Sequence, residues 1–296
     1  MPPSLLLTVY CLLIAAASLA GGWLPMLLRL THTRMQLSMS FVGGAMLGVG
    51  LLHLLPHAFF ELHDIYQTVW WLLGGFMAMF FIERVFHFHH HDAEPAAAAD
   101  CDPEAHPSHS HAAHSHAADT GGRKLGWRAT LAGLLLHSAL DGVALAASVA
   151  STADSGEPLA GLVVFLAVFL HKPFDSLTLG TMMAVSNCTT RQRHAVNLIY
   201  ALGVPLGVVL FQLGADRALG GEQHLVGIAL AFAAGTFLCI STSDLLPELQ
   251  FHSHDRFKLS TALLLGLTLT GLIVWLDEAT HDHAHESPEA THHGHD

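Results

Sequence analysis

Hydrophobic and polar positions in this chain fall into long blocks. Apolar runs cover Leu5–Leu30, Leu37–Phe60, Ile65–Phe86, Trp127–Ser151, Pro158–Met183, Ala195–Gly214, Leu225–Leu249 and Leu259–Leu276. Each is close to the roughly 20 residues that carry a helix across a bilayer. Eight runs predict an all-α integral membrane protein with eight transmembrane helices. The first run lacks a basic leader, so it is read as a span, although Ala15–Ala20 resembles a cleavage site.

The polar connectors predict an orientation. With the N-terminus outside, the inner loops hold Arg29 and Arg34; Arg84, Arg123, Lys124 and Arg128; Arg191 and Arg193; and Arg256 and Lys258, while Arg217 alone lies outside. Basic loops stay on the cytoplasmic side. Both termini are therefore expected to be extracytoplasmic, in a bacterial inner membrane. The expected organisation is spans one to three in residues 1–86, a disordered His-rich cytoplasmic loop in 87–124, spans four to eight in 125–277, and a His-rich extracytoplasmic tail in 278–296.

Span two ends His53-Leu-Leu-Pro56-His57, then Phe60 and His63-Asp64; span seven ends Asp244-Leu-Leu-Pro247-Glu248, then Phe251 and His254-Asp255. The two align without a gap from Gly44 and Gly235. Span two runs outward and span seven inward, so the match predicts inverted repeats with spans four and five between them. His53 and His57 then sit toward the outside, and Asp244 and Glu248 toward the inside. One reading has the outer pair receive a metal and the inner pair accept it on release, with Pro56 and Pro247 loosening the helix hydrogen bonds. Capped helix ends are the other.

Composition narrows the chemistry. Apolar residues make up 52% of the chain and charged residues 12%; Asp and Glu number 24 against 12 Lys and Arg, giving a net charge of −12 that argues against a nucleic-acid partner. Four scattered cysteines, with no CxxC, indicate neither a disulfide framework nor a thiolate zinc site. Histidine is abundant, at 25 residues.

Two of those histidines stand out by spacing. Span four contains His137-Ser138-Ala-Leu-Asp141-Gly142 and span five His171-Lys172-Pro173-Phe-Asp175. Residues four apart share a helix face, so each helix offers an imidazole and a carboxylate in one direction. A buried carboxylate is costly in a bilayer, and a dication offsets the cost. Nitrogen and oxygen donors suit Zn²⁺ and also accept Fe²⁺, Mn²⁺, Cu²⁺ or Cd²⁺. The plain alternative is an interhelical hydrogen bond or ion pair. Lys172 is read as standing in the place of a second cation, paired with Asp141 or Asp175, or as a counter-ion for the empty site.

These motifs resemble those of the ZIP (Zrt-, Irt-like) family of metal transporters, over nearly the whole chain. The resemblance rests on His137, Ser138, Asp141 and Gly142; on His171, Lys172 and Asp175; and on His53 through Ala58. The chain departs from the family in carrying Asp for Glu at Asp141 and Asp175, Pro173 one place early, and His57 where Glu is usual. The resemblance implies inverted repeats of spans one to three and six to eight around spans four and five. It also implies import of zinc, with iron, manganese or cadmium as further cargo, into the cytoplasm. It brings in Met46 on span two and Asp244 on span seven as further donors, with simple core packing the alternative for Met46. The expected partners are the divalent ion and the bilayer, with a homodimer as the oligomer, and no permanently bound cofactor.

Histidine tracts follow span three, at His87–His91 and from His106 to His116, and close the chain, at His281–His285 and His292–His295. Their composition fits disordered metal capture. Two other classes compete. A cation-diffusion-facilitator exporter has similar paired motifs but six spans and a soluble C-terminal domain. An intramembrane zinc hydrolase needs an open coordination position and a general base, and no HExxH is present, so no enzyme is expected.

Overall fold

The computed structural model describes the backbone of residues 2–27, 32–87, 120–152, 159–217, 221–251 and 256–285, and their side chains except at 24–27, 32, 86–87, 120–125, 222, 244–251 and 277–285. Among the described residues every regular element is helical. In chain order these are α1 (Pro3–Leu27), α2 (His32–Gly48), a π-helical turn (Val49–Leu54), α3 (Leu55–Leu62), α4 (Ile65–His87), α5 (Thr120–Thr152), α6 (Leu162–Val185), α7 (Thr190–Ala201), α8 (Gly203–Ala215), α9 (Glu222–Phe251) and α10 (Arg256–His285). Eight continuous stretches among them are long and apolar enough to cross a membrane. Span two is α2, the π turn and α3 together, and span six is α7 with α8.

Local chemistry sets several ends. His63 takes a left-handed conformation (φ 53°) and closes α3, and the Asp64 carboxylate then accepts the N–H groups of Tyr66 and Gln67 at 2.8 and 3.3 Å to start α4. A reciprocal capping box between Thr189 and Gln192 starts α7. That box explains why span six begins before the expected Ala195. Span five begins at Leu162, after Gly161 in a left-handed conformation (φ 71°), and not at Pro158, which lies outside the described residues. Helical backbone also reaches into the segments expected to be irregular, from Thr120 before span four and to His285 after span eight. The remainder of the histidine tracts, 88–119 and 286–296, lies outside the described residues.

The helices meet through small residues, as membrane interfaces do when apolar area alone supplies little drive. A Cβ at Gly44 of α2 would collide with Leu263 O of α10, and one at Gly266 of α10 with Phe41 O of α2. The crossing of α4 on α9 uses the same device: Gly235 lies against Leu72 O and Gly75 against Phe232 O. Phe41, Gly44, Leu72 and Gly75 each stand the same number of residues from Phe232, Gly235, Leu263 and Gly266. Likewise Gly207 of α8 lies on Ala139 O of α5, and Gly21 of α1 on Pro173 O of α6.

Around α5, α6 and α9 a continuous core forms from Tyr10, Ile14, Met46, Val49, Leu145, Val164, Leu230 and Phe237. Large apolar side chains such as Trp70, Phe81, Leu210 and Trp275 point outward, the distribution expected of a bundle solvated by lipid.

Candidate metal site

The two HxxxD pairs converge where α5 packs on α6. His137 and His171 face one another with ring centroids 5.5 Å apart. His137 Nε2 lies 3.4 Å from Asp141 Oδ2 and 3.5 Å from Asp175 Oδ2, and His171 Nε2 lies 3.3 and 3.9 Å from the same two oxygens. Each histidine therefore approaches the carboxylate of its own helix and that of the neighbouring one. One donor atom each from His137, His171 and Asp175 falls within a 4.8 Å group that can hold a metal ion.

Lys172 fills the middle of this arrangement. Its Nζ donates to Asp141 Oδ2 at 2.6 Å and to Asp175 Oδ2 at 3.4 Å, and the residue is fully buried. It pairs with both carboxylates, where sequence reasoning expected one or the other. The His171 ring is fixed from behind: Nδ1 sits 2.8 Å from Ala167 O, which can only accept, so Nδ1 carries the hydrogen. A neutral His171 then turns the Nε2 lone pair toward Asp141. Lone pairs of imidazole and carboxylate gathered at such distances repel unless a cation lies among them. The ammonium group supplies one positive charge, and the donor set suits a dication equally well.

Tyr200 on α7 supports the cage and carried no sequence signal. Fully buried, it donates through its hydroxyl to Asp175 Oδ2 at 2.8 Å, and its ring lies 5.5 Å from Lys172 Nζ. Ser138 is buried against Gly203 and within reach of the same hydroxyl, on the α7–α8 side of the cage.

A cavity of about 150 Å³ reaches His137, His171 and Asp175 from one side, bounded by Met46 and Gly43 on α2, Met79 and Glu83 on α4, and Thr130 on α5. Met46 thus lines the approach to the cage. Glu83 accepts from Ser243 of α9 at 3.0 Å. It was missed in the sequence because it lies at the end of an apolar run beside Arg84, where charge is ordinary.

His53 and His57 lie elsewhere. Their rings lie 4.4 Å apart at a tilt of 41°, and His53 Nε2 approaches Ser148 Oγ at 3.5 Å. Ser148 is seven residues beyond Asp141 on α5, roughly 10 Å along the axis, so this pair forms a second polar position above the cage. The side chains of Asp244 and Glu248 lie outside the described residues, although their backbone continues α9.

Comparison with known proteins places these features in a family. The model of the ZIP zinc transporter family matches residues 4–274. The chain is 30% identical over 190 residues to zinc transporter ZIP9-B of Xenopus laevis, covering 62% of this chain and 54% of the frog protein. It is 29% identical over 144 residues to human zinc transporter ZIP3, covering 48% of this chain and 43% of that protein. To zinc transporter 3 of Arabidopsis thaliana it is 26% identical over 150 residues, covering 48% and 42%. The chain thus spans about half the length of the curated relatives it matches. With a match from the first span to the last, and with paired histidine–carboxylate motifs on adjacent helices, the chain belongs to the ZIP zinc transporter family.

Proposed function

We propose that the protein carries Zn²⁺ across the membrane through the cage of His137, Asp141, His171 and Asp175, in the direction of the cytoplasm, with Fe²⁺, Mn²⁺ or Cd²⁺ as further cargo. The carrying observation is the convergence of four donors from two helices on a volume held by a lysine ammonium group. Lys172 keeps the carboxylates compensated when the cage is empty and yields as the dication enters. Ser138 and Met46 contribute at the edge of the cage.

The import direction rests on the family resemblance, and the cavity supports a route between the cage and one side of the membrane. Its walls are the second half of α4, the first half of α5 and the first half of span two, the ends that the basic connectors assign to the cytoplasm. In that orientation the cavity leads from the cage toward the inside, while His53 and His57 lie on the opposite side as a receiving pair. Asp244 and Glu248 on α9 would serve release. The matched glycine contacts of α2 with α10 and of α9 with α4 support an inverted repeat of spans one to three and six to eight. In this reading the protein is a transporter without catalytic chemistry, both termini are extracytoplasmic, and the histidine tracts hold or buffer the ion on either side.

The test is ⁶⁵Zn uptake into proteoliposomes by the wild-type chain and by Asp141→Ala, Asp175→Ala and His171→Ala. Loss of flux in each variant, with the protein still folded, is the expected result. Unchanged flux in all three would overturn the proposal.

A further inference from the structure

We propose that a pocket between α1, α6 and α7 binds the phosphate headgroup of an anionic glycerophospholipid of the phosphatidylglycerol type. This inference does not depend on the metal reading. The pocket has a volume of about 70 Å³ and is lined by Trp23 from α1, Ser176 from α6, and Arg193, His194 and Asn197 from α7. Glycines make room for it. A Cβ at Gly22 would run into the Asn197 side chain, and Gly180 faces the carbonyl of Gly22.

Three polar atoms in its wall are buried without a hydrogen-bond partner among the described residues: Ser176 Oγ, Arg193 Nε and Asn197 Oδ1. Ser176 is 1% and Asn197 8% exposed, so neither side chain has bulk water to turn to. Asn197 spends its Nδ2 on Leu19 O at 3.2 Å, which leaves Oδ1 over. Trp23 Nε1 donates to His194 Nδ1 at 3.2 Å. An indole nitrogen can only donate, so a neutral His194 carries its hydrogen on Nε2 and adds a further donor.

The wall therefore offers three donors, from Ser176, Arg193 and His194, and one acceptor, from Asn197. Among the described residues no carboxylate lines it. Phosphate oxygens match the donors, and a headgroup hydroxyl matches Asn197 Oδ1; a choline headgroup has no hydroxyl to give. Unpaired polar groups buried away from water are costly, and a ligand that pairs all of them removes that cost. The volume accommodates a phosphate group with the glycerol and acyl chains outside it, along α1, whose outer face carries Val9, Leu12 and Leu13. Trp23, 46% exposed, is the amphipathic ring that marks the headgroup level. A basic pocket between spans at that level fits an anionic lipid.

The experiment is native mass spectrometry of the full chain in detergent with equimolar phosphatidylglycerol and phosphatidylcholine, repeated with Arg193→Gln. Wild type is expected to retain phosphatidylglycerol about tenfold over phosphatidylcholine, the worth of one charge-assisted hydrogen bond, and Arg193→Gln to lose that preference. Equal retention of both lipids by wild type would overturn the proposal, as would a preference undiminished in the variant. Millimolar inorganic phosphate is the second arm. If it displaces phosphatidylglycerol completely, the pocket is a free-anion site and the lipid assignment fails. Because Arg193→Gln can impair folding, a third arm needs no variant. A phosphatidylglycerol carrying a headgroup diazirine is cross-linked to the wild-type chain, with adducts expected in residues 22–23 or 176–197. Adducts exclusively elsewhere would refute the site.

Discussion

At the scale of single residues, the cage is governed by the two ion pairs of Lys172, the shorter of them to Asp141. Asp141 is 1% exposed and accepts from Lys172 at 2.6 Å. Removing that carboxylate leaves the buried ammonium with only the longer contact to Asp175 at 3.4 Å, and breaking a buried pair from one side costs up to about 3–5 kcal/mol. Asp141→Asn should therefore lower the thermal unfolding midpoint, and adding Lys172→Met should recover much of the loss. An unchanged midpoint in the single variant would mean that Asp175 alone compensates Lys172. The same lysine sets stoichiometry. Wild type should bind one metal at the membrane centre and Lys172→Asp two, as counted by metal analysis of the purified protein; two in wild type would dispose of the idea that the ammonium takes the second position. Tyr200 acts through Asp175, so Tyr200→Phe should keep the fold and weaken zinc about 10–100-fold, the usual effect of losing a residue that orients a ligand, measured by chelator competition. His137, Asp141, His171 and Asp175 were legible in the sequence because a spacing of four on a helix projects both groups one way. Tyr200 and Glu83 were not legible: each is a single residue whose meaning arises from what a distant helix places beside it.

At the scale of elements, the eight spans were legible because bilayer thickness imposes a length that sequence displays directly. The interruptions within spans were not. The π-helical turn Val49–Leu54 carries His53, and the break at Leu202 divides span six just after Tyr200; both follow from local packing and have no composition of their own. Glycine positions were legible in part: Gly44 and Gly235 entered the sequence alignment, and the structure places both at helix crossings. Their neighbours permit a controlled test. Gly75 lies against Phe232 O, whereas an added Cβ at Gly74 meets none of the described residues within 4 Å. Gly75→Ala should destabilise by about 1–3 kcal/mol, the cost of overpacking, and Gly74→Ala should leave the unfolding midpoint in detergent unchanged. Equal effects of the two substitutions would show that the α4–α9 crossing has slack to absorb a methyl group.

At the scale of the whole molecule, the proposed transport requires a dehydrated metal in a low-dielectric core to find donors at every stage, and the histidines offer candidates: a tilted pair at His53 and His57, the central pair at His137 and His171, and tracts in the polar segments. The central pair is held by carboxylates and a lysine, so its occupancy is set by the cage. The tracts are governed by composition, and an imidazole near its ordinary pKa of about 6.5 loses its lone pair on protonation. Zinc held by His281–His295 should therefore be present at pH 7.5 and fall away by pH 5.5, read as the difference in bound zinc between the full chain and one truncated after Leu276. A truncated chain that binds as much zinc as the full one at pH 7.5 would exclude capture by the tail. Removing residues 93–120 separates the same two roles on the other side. If that segment buffers the arriving ion, the deletion shifts the apparent affinity of ⁶⁵Zn uptake and leaves the maximal rate unchanged, because the cage and its cavity are built from the spans. If it forms part of the route, the maximal rate collapses instead, and the pathway must be redrawn through the segment between α4 and α5.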